Sequence, residues 1–532
     1  NDKVSTIVST LAEQMLKVIS PDTKFKKEEK IINSDSYTYY MKGKSYGGEG
    51  SQYFYISTEE LELARELLTK SIALDSTNVD AQIQLARSHY YYNNHDIALS
   101  ILEKLVKYCE RSNQGKQLGR AYRNLGNVYF LKWAEGEKLL DDMPSLFHQK
   151  KAAEIAKKHL DIDGYKYAMG NIIDSFAESR NSETSSDSAH YYADQMLEFA
   201  NEQNSLALEG FTYYKLGHFY RWSKTHSDLV ERAFYFKKAD ELSDYLSKTR
   251  QTKILHQLYA IAYLNMEYYD QMNLVNKKIK LSKSMKNNSF LVSSLRELAL
   301  VYSYPLSNYK KSNQFLDEVL EITKLNPSKF QYMEFEVYIT KAINNIYQGK
   351  FEESIENLKK SRMFFDYDYD HKHDFKMFRQ HSFEGVAYYY LGNYKKAKEH
   401  FDVAIDLANS SDVDINDLFS QTFAILTALK LGELKLHKVK YNGDSIDIDK
   451  FFSSNPKEFQ YSSNKDLATL YYNLYQIYDF TDNEELSNKY LNLAHKELMK
   501  VSKKLRKSDR KNFLEKNLMN QDIISLWKQM NI

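Results

Sequence analysis

Between His381 and Ala408 the chain reads HSFEGVAYYYLGNYKKAKEHFDVAIDLA, and its order of small and aromatic residues leaves few folds open. Gly385, Tyr388, Gly392, Tyr394, Ala397, Phe401 and Ala404 fall where two short antiparallel helices need small and bulky residues in turn. Gly385 lets the first helix approach its partner, and Tyr388 and Phe401 fill the space between them. Ala397 and Ala404 then face the first helix with no bulk to hold the pair apart. Gly392-Asn393 supplies residue types that tolerate the left-handed backbone on which a helix ends.

The pattern recurs. Its small position is held in turn by Gly43, Ala86, Gly126, Gly170, Gly217, Tyr259, Ala299, Ala342 and Gly385, at steps of 40 to 47 residues. The sixth unit is degenerate, with Tyr259 where a small residue belongs, and weaker units follow at FSQTFAILTALKLGE and at LYYNLYQIYDF with SNKYLNLAHKEL. This resembles the tetratricopeptide (TPR) repeat, a helix–turn–helix unit of about 34 residues. The longer step implies extended helices and loops. Because each pair leaves an apolar face that only its neighbours can cover, the fold predicted is all-α: a right-handed superhelical solenoid of about eleven TPR-like pairs. Residues 1–35 are expected to form an N-terminal helix (VSTIVSTLAEQMLKVI) and loop, 36–505 the array, and 506–532 a C-terminal capping segment. Segments 47–57, 132–150 and 441–461 read as loop insertions, and NSETSSDS as a polar loop splitting the fourth unit.

Composition agrees. Seventeen glycines and five prolines in 532 residues are few for a β-rich or linker-rich chain. Lys+Arg 73 against Asp+Glu 72 leaves +1, so no global field draws nucleic acid or anionic membrane. No apolar run approaches the ~18 residues of a membrane span, so no membrane insertion is expected. The single cysteine, Cys109, excludes an internal disulfide framework and fits a reducing, cytoplasmic setting. Without an initiator Met or a signal peptide, the chain is expected to be a fragment or a processed product. The 44 tyrosines read as helix–helix packing with hydroxyls at the wet edge.

Motifs that carry chemistry are scarce. Gly43-Lys44-Ser45 fails as a phosphate loop because Thr38 stands where its first glycine is required. FFDYDYDHKHDF (364–375) begins like a calcium loop, but His371 replaces the sixth-position glycine and Met377 stands at the twelfth-position glutamate. KVSKKLRKSDRK (500–511) reads as helix-end capping and solvated charge. No catalytic triad, metal-ligand pair at helical spacing, dinucleotide fingerprint or paired-acid motif is found. No cofactor or metal is therefore expected.

The groove remains. In a TPR superhelix the first helix of each pair lines the concave wall, and residues one turn before and just after the small position point inward. On that spacing Arg123 and Asn127, Tyr167, Asn171 and Asp174, then Tyr214, His218 and Arg221 share one wall. Their amide, imidazole and guanidinium groups suit an extended peptide or a carboxylate, with Asn127, Asn171 and His218 expected as a solvent-facing ladder.

The ends resemble something narrower. TIVSTLAEQML, SYTYYMKGKSY and ELARELLTKSIALDSTNVDAQIQLA look like the start of the TPR region in bacterial TolB-like/TPR signalling proteins and class III adenylate/guanylate cyclases. SDRKNFLEKNLMNQDIISLWKQ is similar to their closing segment through Arg510, Phe513, Leu514, Asn517, Ile524, Leu526 and Trp527. The resemblance implies a regulatory or sensory region attached to an N-terminal catalytic or sensor domain, and it carries over no catalytic residue. Two classes of function stay open. One is a non-catalytic scaffold for a protein or peptide; the other is an enzyme whose site is built on the loop insertions.

Overall fold

The computed structural model describes residues 34–47, 58–92, 94–134, 144–178, 183–221, 226–325, 327–364, 372–410, 418–433, 438–441, 444–447 and 467–530. The N-terminal helix expected over 4–19 lies outside them, as do most of the expected loops 47–57 and 441–461 and the core of the acidic 364–375 segment. The chain divides into two compact units, Asn1–Trp222 and Ser223–Ile532.

The first unit contains α1 (Ser34–Gly47), α2 (Thr58–Leu74), α3 (Val79–Tyr90), α4 (His95–Arg111), α5 (Gly115–Ala134), α6 (Pro144–Lys158), α7 (Ile162–Glu178), α8 (Glu183–Glu202) and α9 (Leu206–Phe219). In the second are α10 (His226–Glu241), α11 (Lys248–Leu264), α12 (Tyr268–Ser284), α13 (Asn288–Ser303), α14 (Tyr309–Thr323), α15 (Pro327–Tyr347), α16 (Phe351–Arg362), α17 (Lys372–Tyr390) and α18 (Tyr394–Ser410). It continues with α19 (Leu418–Lys430), the strands β1 (Lys438–Tyr441) and β2 (Asp444–Asp447), α20 (Leu467–Phe480), α21 (Glu484–Lys503), α22 (Lys507–Lys516) and α23 (Leu518–Met530). The fold class is the predicted one, a helical-repeat solenoid of TPR type. Within each unit consecutive helices pack against one another, and first helices of neighbouring pairs also touch, as α3 does α5 and α7 does α9 in the first unit and α13 does α15 and α15 does α17 in the second.

Every residue of the small-position series is buried, Tyr259 included. At Gly385 an added Cβ would stand 2.6 Å from the ring of Phe401, itself fully buried on α18 beside Ala397 and Ala404. Gly43 meets Leu68 and Ala64 in the same way. The close approach of the two helices thus rests on absent side chains, as the spacing predicts.

A two-residue device makes many of the turns. The preceding helix closes on a left-handed residue, and the next residue caps the following helix. Asn204 and Ser205, Lys286 and Asn287, and Asp482 and Asn483 all do this, and Ser307 and Asn308 do it at the end of a longer turn, the second side chain in each case accepting from the backbone N–H three residues on. Gly392 (φ 73°) and Asn393, which accepts from Lys396 N, repeat it. One free donor at the start of each helix is satisfied by the capping oxygen.

Several boundaries depart from the sequence reading. The helix α6 begins at Pro144, inside the expected 132–150 insertion, because proline at a first helical position gives up only an N–H that has no partner there. Most of NSETSSDS belongs to α8, since Ser, Thr and Asp are favoured where a helix starts. At the start of the expected 441–461 insertion, and reaching back before it, two strands pair antiparallel, Lys438 opposite Asp447 and Tyr441 opposite Asp444. Asn442-Gly443 between the strands is a two-residue hairpin signature that a helical frame passes over.

The second unit folds back on itself. Lys504 Nζ donates to the Asn265 carbonyl at 2.5 Å, Arg506 lies 4.0 Å over the Tyr269 ring, and Tyr269 donates its hydroxyl to Asp509 at 2.8 Å. Phe513, fully buried, meets Tyr304 edge-on; Leu518 sits by Gly349; Met519 joins Ile346 and Tyr389. These contacts fall at the turns of α11–α12, α13–α14 and α15–α16 and near the end of α17, so α22 and α23 run along the turn edge of four successive pairs. Arg510 donates to the carbonyls of Ser502 and Leu505 and so caps α21, while Asn517 accepts from Met519 N and starts α23. Trp527 stacks on His495 with ring centroids 3.8 Å apart. No described helix is long and apolar enough to cross a membrane.

Candidate functional site

The predicted wall residues lie on α5, α7 and α9, the first helices of three successive repeats, except Arg221, which stands in the turn just past α9. Two glycines determine how they meet. At Gly126 the missing side chain leaves room for Gln149 of α6, whose amide would otherwise be 2.5 Å from a Cβ. Gln149 Nε2 then reaches across to donate to the Arg123 carbonyl at 3.0 Å and to Asn127 Oδ1 at 2.9 Å. Asn171 Nδ2 donates to the same Asn127 oxygen at 2.8 Å. At Gly170 the bare backbone accepts Phe211 and the aliphatic stem of Lys215 from α9. That contact delivers the Lys215 ammonium to Asp174, one turn further along α7.

The asparagines are therefore half-buried and bonded to one another and to Gln149, where the sequence suggested a solvent-facing ladder. Pairing across adjacent repeats is possible because the repeat step brings equivalent positions to hydrogen-bond distance. His218 also looks inward. Its Nδ1 lies 3.5 Å from Asp174 Oδ1, its Nε2 is 2.6 Å from Arg221 Nη1, and its ring stacks on buried Tyr214. Arg123 lies 5.2 Å from the centroid of Tyr167, which is exposed. The eight residues fall into three contact groups: Arg123 with Tyr167, Asn127 with Asn171, and Asp174 with His218, which also meets Arg221 and Tyr214.

Electrostatics hold these groups in defined states. Burial alone would raise the Asp174 carboxyl, but the Lys215 ammonium and then His218 outweigh it and hold it well below the usual carboxylate range. Burial lowers His218 against the pull of Asp174, so its Nε2 is an acceptor for Arg221. Burial, with Arg120 and Arg87 nearby, lowers Arg123 to about 10, still fully charged at neutral pH.

Beside this wall opens a cavity of about 190 Å³ lined by Asn127, Gln149, Asn171, Asp174, Ser145 and Ser175 on its polar side and by Tyr90, Tyr91, Phe130 and Leu131 on its apolar side. Ser145 Oγ and Gln149 Oε1 are buried without a hydrogen-bond partner among the described residues, while Asp174 Oδ1 faces His218 Nδ1 at 3.5 Å. Ser145 and Gln149 are each 1% exposed. Unmet buried acceptors are costly, and these converge on one cavity. Sequence reasoning missed Ser145 and Gln149 because both lie on a second helix, α6, whose start it placed in a loop.

A second cluster lies in the other unit. His381, Glu384 and His400 offer ligand atoms that all lie within 4.8 Å of one another, a set that includes a His–Glu pair at helical spacing which the sequence reading passed over. His381 and Glu384 stand three residues apart on α17, one turn of helix, while His400 comes from α18. Burial lowers both imidazoles to about 4.

The structure defines the class: an all-α helical-repeat protein built from TPR-like helix pairs. No protein-family model matches the chain, and no curated protein sequence matches it. Among solved structures it is similar to the apo form of RapI, at 16% identity over 71% of this chain and 99% of that one, with a TM-score of 0.47. It is also similar to the apo quorum sensor NprR of B. thuringiensis, at 15% identity over 71% of this chain and 100% of that one (TM-score 0.41). A third is the signal-transduction ATPase with a tetratricopeptide-repeat sensor from Pyrococcus horikoshii, at 13% identity and TM-score 0.43, covering 69% of this chain. The chain spans 54% of the length of that ATPase.

Proposed function

We propose that this chain is a non-catalytic scaffold that binds a peptide, or an extended segment of a protein, along the α5–α7–α9 wall. The observation that carries the reading is the cavity beside Asn127 and Asn171, where the buried Gln149 Oε1 and Ser145 Oγ have no hydrogen-bond partner among the described residues. An amide or ammonium N–H would satisfy these acceptors, and the aromatic and aliphatic side of the cavity suits an apolar side chain on the same ligand. Exposed Tyr167 and the Arg123 guanidinium beside it extend the wall for further backbone or carboxylate contacts. In this reading residues 1–35 lead into the array, 36–505 form it and 506–532 cap it. The resemblance at both ends supports a cytoplasmic, regulatory setting within a larger signalling protein, such as a cyclase with an N-terminal catalytic domain.

The test is a peptide-library screen on the full chain, followed by titration of the best binder. Leu131→Trp places a large ring into the cavity from a half-buried position. It should weaken binding at least tenfold while far-UV circular dichroism and melting stay near wild type. Undiminished binding by a folded Leu131→Trp protein would remove this wall as the site.

A further inference from the structure

We propose that His381, Glu384 and His400 form a three-ligand site for a divalent transition metal, zinc by its donor set, tying α17 to α18. His381 Nδ1 and His400 Nδ1 approach to 2.9 Å, and Glu384 Oε2 stands 3.1 Å from His400 Nδ1 and 3.9 Å from His381 Nδ1. Zinc bonds of about 2.0–2.1 Å at tetrahedral angles set ligand atoms roughly 3.3 Å apart. The observed separations bracket that value, so shifts of a few tenths of an ångström would seat the ion. Two imidazole nitrogens and one carboxylate oxygen are the ligand types zinc takes at three-ligand sites, which keep a fourth position for water. His381 and His400 have side chains 16% and 19% exposed, which leaves water a way to that position.

Neighbouring side chains hold the three groups in place. Gln380, buried, donates to the Leu358 carbonyl at 3.1 Å and reaches Glu384 Oε1 at 3.4 Å, anchoring the carboxylate to α16. Tyr388 stacks on the His400 ring and orients it. Glu384 itself is 3% exposed. One group competes with a metal. Arg362 Nη2 holds Glu384 Oε2 at 2.5 Å, and with its side chain 44% exposed it can return to water when an ion takes that oxygen. Two facing nitrogens and a carboxylate held by a displaceable guanidinium amount to a site with a built-in competitor.

The competitor gives the proposal variants of opposite sign. The full chain, stripped with a chelator, is titrated with Zn²⁺ by calorimetry and with Co²⁺ by visible absorption. Wild type should take up one more ion than His400→Ala, with a cobalt spectrum of tetrahedral type that the variant lacks. Losing only a partner that orients a ligand costs about 10–100-fold in metal affinity, so losing a ligand should cost more than about 100-fold. Arg362→Gln should tighten binding several-fold, and Zn²⁺ should raise the melting temperature of wild type but not of His400→Ala. Equal stoichiometry and affinity in wild type and His400→Ala would overturn the proposal, as would an Arg362→Gln protein that binds no more tightly than wild type.

Discussion

At the scale of single residues, the glycines act through what they lack. A side chain at Gly385 would start 2.6 Å from the Phe401 ring, which is fully buried and has nowhere to move. Gly385→Leu should therefore destabilise the protein by about 3 kcal/mol or somewhat more, at the upper end of overpacking substitutions, and an unshifted thermal transition would remove Gly385 from the contact. Asp174 is the charged counterpart. Its carboxylate pairs with a Lys215 ammonium whose side chain is 10% exposed, and Asp174→Asn leaves that charge buried alone. The cost should fall toward the lower end of the ~3–5 kcal/mol seen for broken buried pairs. Because the folded-state value of Asp174 is depressed, its contribution is complete above the unfolded carboxyl's pKa of about 3.9 and is lost as pH falls below it. The stability gap between wild type and Asp174→Asn should accordingly be full at pH 7 and narrow on acidification; a gap that is constant down to pH 3 would contradict the pairing.

Elements are joined by polar bonds as well as by apolar faces. Glu336 on α15, 1% exposed, receives Arg296 from α13 and Arg379 from α17, the latter at 2.5 Å, so one carboxylate links three successive first helices. The two arginines outweigh burial and hold Glu336 below the ordinary carboxylate range. Glu336→Gln removes the central charge and should cost about 3 kcal/mol, read by chemical denaturation; a loss under 0.5 kcal/mol would show that the arginines re-solvate freely. The turns are a gentler case. Asn287 caps α13 by accepting from Phe290 N at 3.1 Å, so Asn287→Ala should cost roughly 1 kcal/mol and increase hydrogen exchange in the first turn of α13. Few of these turns were visible in the sequence. The left-handed residue is glycine at Gly349, Gly392 and Gly432, but Lys286, Ser307 and Asp482 do the same work elsewhere.

For the whole molecule, each unit has its own cohesion, and in the second it depends on the end of the chain. Phe513 is fully buried against Tyr304 and within the cluster formed by Tyr268, Leu298, Val301 and Leu306. Phe513→Ala should cost about 3–5 kcal/mol. In a repeat protein that loss propagates mainly to neighbours. Hydrogen exchange should quicken in residues 248–306 and 484–530, while protection in α3–α5 of the first unit stays at its wild-type level. Uniform loss of protection through both units would mean that the chain unfolds as a single cooperative block.

The sequence by itself determined the helical pairs and their frame, because small residues at a steady step report directly on close helix contacts, and that information is local. Gly43, Gly126, Gly170 and Gly385 all stand at close helix contacts, where the spacing put them. Tertiary structure alone decided what those residues do with their polar groups. Asn127 bonds Asn171 forty-four positions away, Gln149 reaches in from a helix whose start the sequence reading placed in a loop, and His400 turns toward Glu384 across a pair interface. Bonds like these depend on the angle and depth at which helices pack, which no single stretch of chain encodes. The fold-back of α22 and α23 is of the same kind: its residues are ordinary amphipathic positions until Tyr269, Tyr304 and Gly349 are brought to meet them.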